Sequence, residues 1–314
     1  MVQQTRKRRH VMADKLKGAR HILVTGGSGF VGRAVVTELI RRGHRVTATT
    51  HPLEPSLEPE RDVDWVQWDA LQESLPDVDW GDVDTVLHLA KPANHFDFPK
   101  GAPAMYELGV AVPFRLLDKA YHVGLRRVAI ACTGDVIGAT DKPIGEEDVC
   151  YQPLSFYGAS KACGEIIARA YLNVVQTAIL RFFHPYGPHG ERVLVNRLVH
   201  KVLNGDVVEI EGSEGVSLNP VWVEDLARGV ALAIESSETG VFNLAGPECV
   251  TLRALLELIG KAVGRPPLIR CLPKPVLTNH VGRYERSAAL LGYHPEVSLA
   301  EGLQRVVRDM LKGA

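Results

Sequence analysis

The sequence predicts an α/β fold: a doubly wound, mostly parallel sheet with helices on both faces, followed by a smaller C-terminal α/β region. Three observations carry this. Short apolar runs alternate with amphipathic stretches from His21 to Phe183. Glycines at 26, 27, 29 and 32 stand between the first run and the first amphipathic stretch. Beyond residue 184 the alternation gives way to pieces broken by Gly and Pro.

The elements follow in order. Residues 21–25 read as a strand, 30–42 as a helix stopped at Gly43, and 45–49 as a second strand, together a βαβ unit. Residues 63–68 and 85–90 read as strands. Residues 106–123 read as a helix despite Pro113. A strand at 127–132, a helix at 158–172 and a strand at 177–183 complete the first part. Such alternation implies a parallel sheet covered on both faces. Pro185, Gly187, Pro188 and Gly190 then break the chain. Helical patterns recur at 193–203, 221–235, 252–263 and 299–311. The expected division is residues 20–190 with parts of 220–245 as the first domain, and 191–219 with 246–314 as the second.

Composition bounds the function. The chain has 314 residues, enough for two domains at roughly 100–200 residues each. Lys+Arg 36 against Asp+Glu 37 gives a net charge of -1, so neither nucleic acid nor an anionic membrane is expected as partner. No apolar run approaches the ~18 residues of a membrane span. The five cysteines, Cys132, Cys150, Cys163, Cys249 and Cys271, form no CxxC pair. Neither a disulfide framework nor a metal site is expected, and a reducing cytoplasm is the simplest setting. Residues 1–19, with Arg6, Lys7, Arg8, Arg9, Lys15 and Lys17, read as a basic disordered tail, the alternative being a docking segment.

Gly26, Gly29 and Gly32 are spaced by three, after a strand and at the start of a helix. A sharp turn, a close pyrophosphate and a helix packed on the sheet each exclude a side chain. The helix N-terminus adds free N–H groups and a partial positive charge. A dinucleotide is therefore expected over this bend, on Gly26, Gly29, Phe30, Val31 and Gly32. The second strand ends in Thr50 and His51, with no acid before Glu54. An acid there binds the adenosine ribose of NAD. Its absence leans towards NADP, while Thr50 bonding an NAD ribose hydroxyl is the alternative; NADP or NAD is expected.

Tyr157 and Lys161 stand four apart on one helical face. A free phenol has a pKa near ~10, and an adjacent ammonium lowers it. With the glycine bend upstream, the pair resembles the extended short-chain dehydrogenase/reductase superfamily, in its NAD-dependent epimerase/dehydratase-like branch. The resemblance runs from about Arg20 into the C-terminal region. It rests on Thr25-Gly26-Gly27-Ser28-Gly29-Phe30-Val31-Gly32, Asp69-Ala70, His88-Leu89-Ala90, Thr133 with Val136-Ile137-Gly138, Tyr157 with Lys161, Arg181 to Pro188, and Val223-Glu224-Asp225-Leu226-Ala227.

That resemblance implies a Rossmann domain plus a small substrate domain, with the site in the cleft between. It implies Tyr157 as the acid/base and Lys161 as the group that holds the nicotinamide ribose. Thr133 would bond the reacting oxygen. Asp69 and Ala70 would meet the adenine, Leu89, Ala90 and Lys91 would lie under the cofactor, and Phe183 beside the nicotinamide. A homodimer is implied as well. Asp135 stands where related dehydratases and decarboxylases carry a base, though Gly134-Asp135 is also ordinary turn chemistry. His95 and His184 are candidate substrate contacts, and His88 reads as a core histidine.

Departures from the family pattern bear on the substrate. Leu218 stands where an arginine grips a diphosphate, and Gly109 and Leu194 replace asparagines. Arg192, Arg197, Arg283 and Arg286 are possible substitutes. The expected function is a nicotinamide-dependent epimerase or oxidoreductase acting on a secondary hydroxyl or keto group of a sugar-like, possibly nucleotide-sugar, substrate. The alternatives are an NADPH-dependent ketoreductase of a non-nucleotide carbonyl compound and a non-catalytic dinucleotide-binding sensor.

Overall fold

The structure, a computed structural model, describes residues 18–52, 62–93, 95–138, 140–149, 151–275 and 279–312. The tail read at 1–19 lies outside them up to residue 17, as does Glu54. Arg20 belongs to the fold. Its buried guanidinium donates to the carbonyls of Ile234 and Glu235 at a helix C-terminus.

In chain order the strands are β1 (His21–Thr25), β2 (Arg45–Thr50), β3 (Val63–Gln67), β4 (Thr85–His88), β5 (Arg127–Thr133), β6 (Gln176–Phe182), β7 (Val207–Glu211), β8 (Ser217–Leu218), β9 (Gly240–Leu244), β10 (Val250–Thr251) and β11 (Leu268–Leu272). The α-helices are α1 (Phe30–Arg41), α2 (Ala102–Tyr106), α3 (Val112–Val123), α4 (Phe156–Tyr171), α5 (Leu194–Asn204), α6 (Val223–Glu235), α7 (Leu252–Val263), α8 (Glu285–Leu291) and α9 (Leu299–Lys312).

Seven strands form one parallel sheet in the order β3-β2-β1-β4-β5-β6-β9. Chain order reverses between β1 and β4, which opens a crevice at the C-terminal edge of the strands. Side-chain alternation divides the core between the two faces. Ile22 and Val24 face α1 and α6, with Leu39, Val230 and Phe242. Leu23, Val86, Val128 and Ile179 face α3 and α4, with Leu116 and Ala162. α6 and β9 thus return to the large sheet. A third core joins Tyr186, Val199, Leu218, Trp222, Leu255 and Leu303 beneath α5, α7 and α9, beside the small pairs β7–β11 and β8–β10.

The helix read at 106–123 begins earlier and is not uniform. It opens at Ala102, widens into a π turn at Glu107–Ala111, and resumes as α3 with Pro113 in its first turn. Proline has no N–H, and its ring crowds the carbonyl four residues back, so a regular α-turn there is unfavourable. β7, β8, β10, β11 and α8 were not legible from local pattern. β8 and β10 have two residues each, and β7 pairs only with the distant β11.

One buried ion pair holds α4 to the sheet. The Glu165 and Arg181 side chains are both 0% exposed, with Arg181 Nη2 2.6 Å from Glu165 Oε1 and Nε 3.0 Å from Oε2. Tyr151 and Arg169 also donate to Oε1. Burial pushes the Glu165 carboxyl up, but the Arg181 hydrogen bonds and charge outweigh it and leave the group below its ordinary range. Arg181 donates further to the carbonyls of Gly145 and Asp148. Arg181→Met leaves the buried carboxylate with Arg169, Tyr151 and the Cys132 thiol alone, and the expected loss is about 3 kcal/mol. Urea unfolding checks it; a midpoint equal to that of the unaltered protein contradicts the assignment.

Candidate active site

The parallel strands end on one edge, and the candidate residues gather there. At the end of β1 the chain turns through Gly26, with φ of +73°. A Cβ on Gly26 would stand 2.7 Å from the Ala90 backbone, and one on Gly32 would stand 2.1 Å from the Gly26 carbonyl. These two glycines permit the fold itself. Gly29 is different: its nearest obstacle is the Gly26 carbonyl at 3.4 Å, an ordinary contact. No side chain caps the α1 N-terminus at Gly29. A Cβ there would fill only the space over the N-terminus, so the bend fits a dinucleotide diphosphate.

The neighbouring loops complete the cradle. Gly26 N donates to Thr49 Oγ1 at 3.0 Å, which ties the bend to β2. Thr50 ends β2 and His51 follows it, and His51 Nε2 lies 3.8 Å from Oδ1 of Asp69, two residues after β3. Ala70 is buried beside them. Leu89 N donates to the Thr25 carbonyl, and this carries Ala90 against Gly26. The Phe30 ring packs on Gly190, so the loop after β6 covers the start of α1.

Ser155 caps α4 by accepting from Gly158 N at 3.0 Å, which starts the helix just before Tyr157. Tyr157 and Lys161 share the face that also carries Glu165. Lys161 is buried and donates from Nζ to the Ala131 carbonyl at 3.0 Å. Burial pushes its ammonium down to about 8. The Tyr157 phenol is raised well above its ordinary range by burial, then by the Asp135 and Cys132 charges. In the protein alone the phenol therefore stays protonated at neutral pH. The lowering by Lys161 expected from spacing is not what dominates it.

Lys91 Nζ lies 3.4 Å from His95 Nδ1, and the His95 ring packs on the Tyr157 ring at 4.8 Å. Burial, then Lys91, pushes His95 down to about 4, so it is neutral. At the end of β5, Thr133 Oγ1 accepts from Asp135 N at 3.3 Å. Asp135 Oδ1 lies 3.2 Å from His280 Nδ1. The His184 ring stands edge-on to His280, with centroids 5.3 Å apart. His280 was not anticipated. It is a lone histidine in an irregular segment, with no periodic or motif signal around it.

The other candidate residues take the following places. The Phe183 ring is buried in the core, wedged where a Cβ on Gly134 or Gly282 would meet it at 2.4–2.5 Å. Arg283 is paired with Glu147, and Arg286 donates to Thr239 and stacks on Phe242. Arg197 is exposed on α5, whereas the Arg192 charge reaches Lys91. Leu218 is fully buried in the third core. Gly109 lies against α4, where a Cβ would stand 2.6 Å from Ser160 Oγ, so an asparagine does not fit. His88 is a core residue: Nε2 donates to the Leu108 carbonyl, and Nδ1 accepts from Thr25 Oγ1.

Residues 22–245 match the family described as NAD dependent epimerase/dehydratase, which spans the glycine bend, the Tyr157–Lys161 helix and all seven strands of the large sheet. The chain belongs to that family. It is similar to dTDP-4-dehydro-6-deoxyglucose reductase of Escherichia coli, at 25% identity over 92% of this chain and 97% of that protein. It is similar to a probable UDP-glucuronate 4-epimerase of Rhizobium meliloti, at 26% over 91% and 95%. Among solved structures it resembles MoeE5 in complex with UDP-glucuronic acid and NAD, with a TM-score of 0.79 and 25% identity over 95% of this chain and 100% of that one. The chain is thus an enzyme of an NAD-dependent epimerase/dehydratase family.

Among the described residues no helix is long and apolar enough to cross a membrane, and no group of three or more His, Cys, Asp or Glu residues is placed to hold a metal ion.

The glycines make the cradle testable. Gly32→Ala is expected to unfold the protein or lower its melting temperature sharply. Gly29→Ala is expected to keep the fold while weakening dinucleotide binding about tenfold, or 1.4 kcal/mol. Calorimetric titration with NAD and thermal melts separate the two; equal affinity in Gly29→Ala removes Gly29 from the site.

Proposed function

We propose that this enzyme epimerises a nucleotide sugar at a secondary hydroxyl, with NAD held across the glycine bend. One observation carries the reading. The Tyr157 phenol and the Lys161 ammonium stand one helical turn apart at the strand edge, beside a helix N-terminus that only Gly29 leaves open. The α1 N-terminus with Gly26, Gly29, Phe30, Val31 and Gly32 holds the diphosphate. Thr50 and His51 take the adenosine ribose, Asp69 and Ala70 the adenine, and Leu89, Ala90 and Lys91 underlie the dinucleotide. The Asp69 carboxylate beside His51 disfavours a second phosphate there and supports NAD over NADP.

When bound, the nicotinamide supplies a reversible hydride acceptor. The chain's own residues handle the proton and the orientation. Tyr157 exchanges the hydroxyl proton, and Thr133 bonds the same oxygen. Lys161 orients the nicotinamide ribose and brings positive charge towards the phenol, opposing the burial that keeps it protonated. His95 and His184 contact the sugar. Residues 191–219 and 246–314 form the wall that receives the nucleotide.

The place of Leu218 in the core favours a second reading, a reductase of a carbonyl compound that lacks the diphosphate. Freshly purified enzyme that carries NAD and interconverts a UDP-hexuronic acid with no added cofactor supports the epimerase. Stoichiometric oxidation of added NADPH supports the reductase. Tyr157→Phe is expected to lower either turnover by about 10²–10⁴-fold while leaving NAD affinity unchanged. Turnover near the unaltered level rules out the role of Tyr157.

We further propose that the chain is a cytoplasmic homodimer. Tyr106, Phe114 and Tyr121 on one helical stretch, and Ile166 on α4, are each 46–57% exposed large apolar residues on the two helices beside one another. The described cysteines are all unpaired. Sedimentation of the purified chain is expected to give twice its 34.4 kDa mass; a monomer at micromolar concentration contradicts the dimer.

A further inference from the structure

Beside the site, a row of aromatic rings stands open to solvent. Phe96 is 75% exposed, Phe98 61% and Phe156 36%, and Leu154 is exposed as well. They lie on two short segments. One runs from 95 to 98, between the end of β4 and α2, and the other from 154 to 156, leading into Tyr157. Phe98 N donates to the Phe96 carbonyl at 3.1 Å, and Ser155 caps α4, so local bonds set each segment.

Ring contacts join the two segments. The His95 ring lies 4.0 Å from the Phe96 ring and 4.8 Å from the Tyr157 ring, centroid to centroid. Phe98 stacks on Phe156 at 5.3 Å, with 25° between the planes. Such separations belong to attractive ring pairs. His95 is neutral, and its polar edge is turned to Lys91 Nζ and the Pro92 carbonyl. What it offers the rings on either side is an uncharged face. Phe96 is thus one ring removed from the Tyr157 phenol, within the span of a small molecule whose reacting carbon lies at that phenol.

These contacts do not account for the exposure. The His95 and Phe98 rings already dock 95–98 onto α4, and three quarters of Phe96 is left in water. A cluster of exposed apolar rings marks a surface that takes a partner. The size of the patch says which kind. Three phenylalanines exposed to these fractions offer about 300–400 Å². That is about half of the ~800 Å² that each side of a standard protein interface buries. An area of this size suits one ring of a small molecule, and its continuity with Tyr157 puts that ring on the reacting compound.

We propose that Phe96, Phe98 and Phe156 form a specificity surface for an aryl group carried on the compound whose hydroxyl or carbonyl meets Tyr157. The aryl group lies against Phe96, and offset or edge-on stacking there fixes the turn of the reacting carbon towards the phenol. Over these rings a hydroxyl or a carboxylate loses water without gaining a partner. The surface concerns one flank of the reacting carbon and not the nucleotide, so it applies to either reaction proposed above. The inference rests on the placing of NAD and Tyr157 in that reading, but binding tests it without turnover.

The probes are 4-phenylbutan-2-one and 4-hydroxybutan-2-one, titrated by calorimetry into enzyme saturated with NAD, where neither ketone can be reduced. The phenyl ketone is expected to bind at least about tenfold more tightly. Phe96→Ser is expected to cut that preference to about twofold, and Phe96→Leu to restore part of it, with NAD affinity, melting temperature and sedimentation unchanged. Phe96→Gln takes the place of Phe96→Ser if the latter does not fold. Binding of neither ketone, equal affinity for the two, or a preference that survives loss of the Phe96 ring each overturns the proposal. So does a Phe96→Ser variant that sediments at half the mass of the unaltered protein, which makes the rings a contact between subunits. If NAD binds and Tyr157→Phe loses turnover yet the ketones bind alike, the surface falls and the site reading stands. If NAD does not bind, both fall.

Discussion

The Glu165–Arg181 ion pair sets the geometry on which the site depends. Two charges without solvent are tolerable only when their hydrogen bonds are complete. Glu165 receives Arg181, Arg169, Tyr151 and the Cys132 thiol, and Arg181 spends its other donors on Gly145 and Asp148. Glu165 can meet these partners in only one rotation of α4. Lys161 and Tyr157 lie four and eight residues earlier on the same stripe, so that rotation aims them at the strand edge. The clamp on the 145–148 loop extends the effect. Ile144, next in the chain, is the residue that pairs with 281–283 and so carries His280 towards Asp135.

Close approach of backbone to backbone is the second constraint, and it explains two departures from the family pattern. α4 lies so near the π turn that a Cβ on Gly164 would stand 2.2 Å from the Gly109 carbonyl. Gly109 and Gly164 therefore depend on each other, and an asparagine at 109 would push the helix carrying Tyr157 away. The π turn that Pro113 imposes brings this carbonyl to α4. Leu218 is likewise committed, as a core residue of the short β8 strand that holds the 279–283 segment.

What the sequence revealed and what it hid follow from the range of the interactions. β1, α1, β2 and the glycine bend were legible because their determinants lie within a few residues of one another. α4 was legible for the same reason: a serine cap, an apolar stripe, and a tyrosine and lysine one turn apart. β7 and β11 were not, since each strand is half exposed and gains its identity only from the other. The direction of the Phe183 ring was hidden, since only Gly134 and Gly282, far apart in sequence, leave room for it in the core. His280 was invisible for the most general reason. A histidine is placed by the groups it meets, and Asp135 belongs to the other half of the chain.

Lys161 carries a charge that the fold itself does not reward. Its ammonium is buried against one carbonyl, with no carboxylate among the groups that shift it. The ordinary lysine value is 10.5, and in the fold it is pushed down to about 8. Between these values the unfolded chain binds more protons than the native one, so stability rises with pH across that window. At neutral pH the full cost of burying the charge is present. An apolar side chain of similar length would fill the same space without that cost. The buried charge at this point therefore calls for an explanation outside folding. In the function proposed above, that explanation is the nicotinamide ribose and the phenol one turn away.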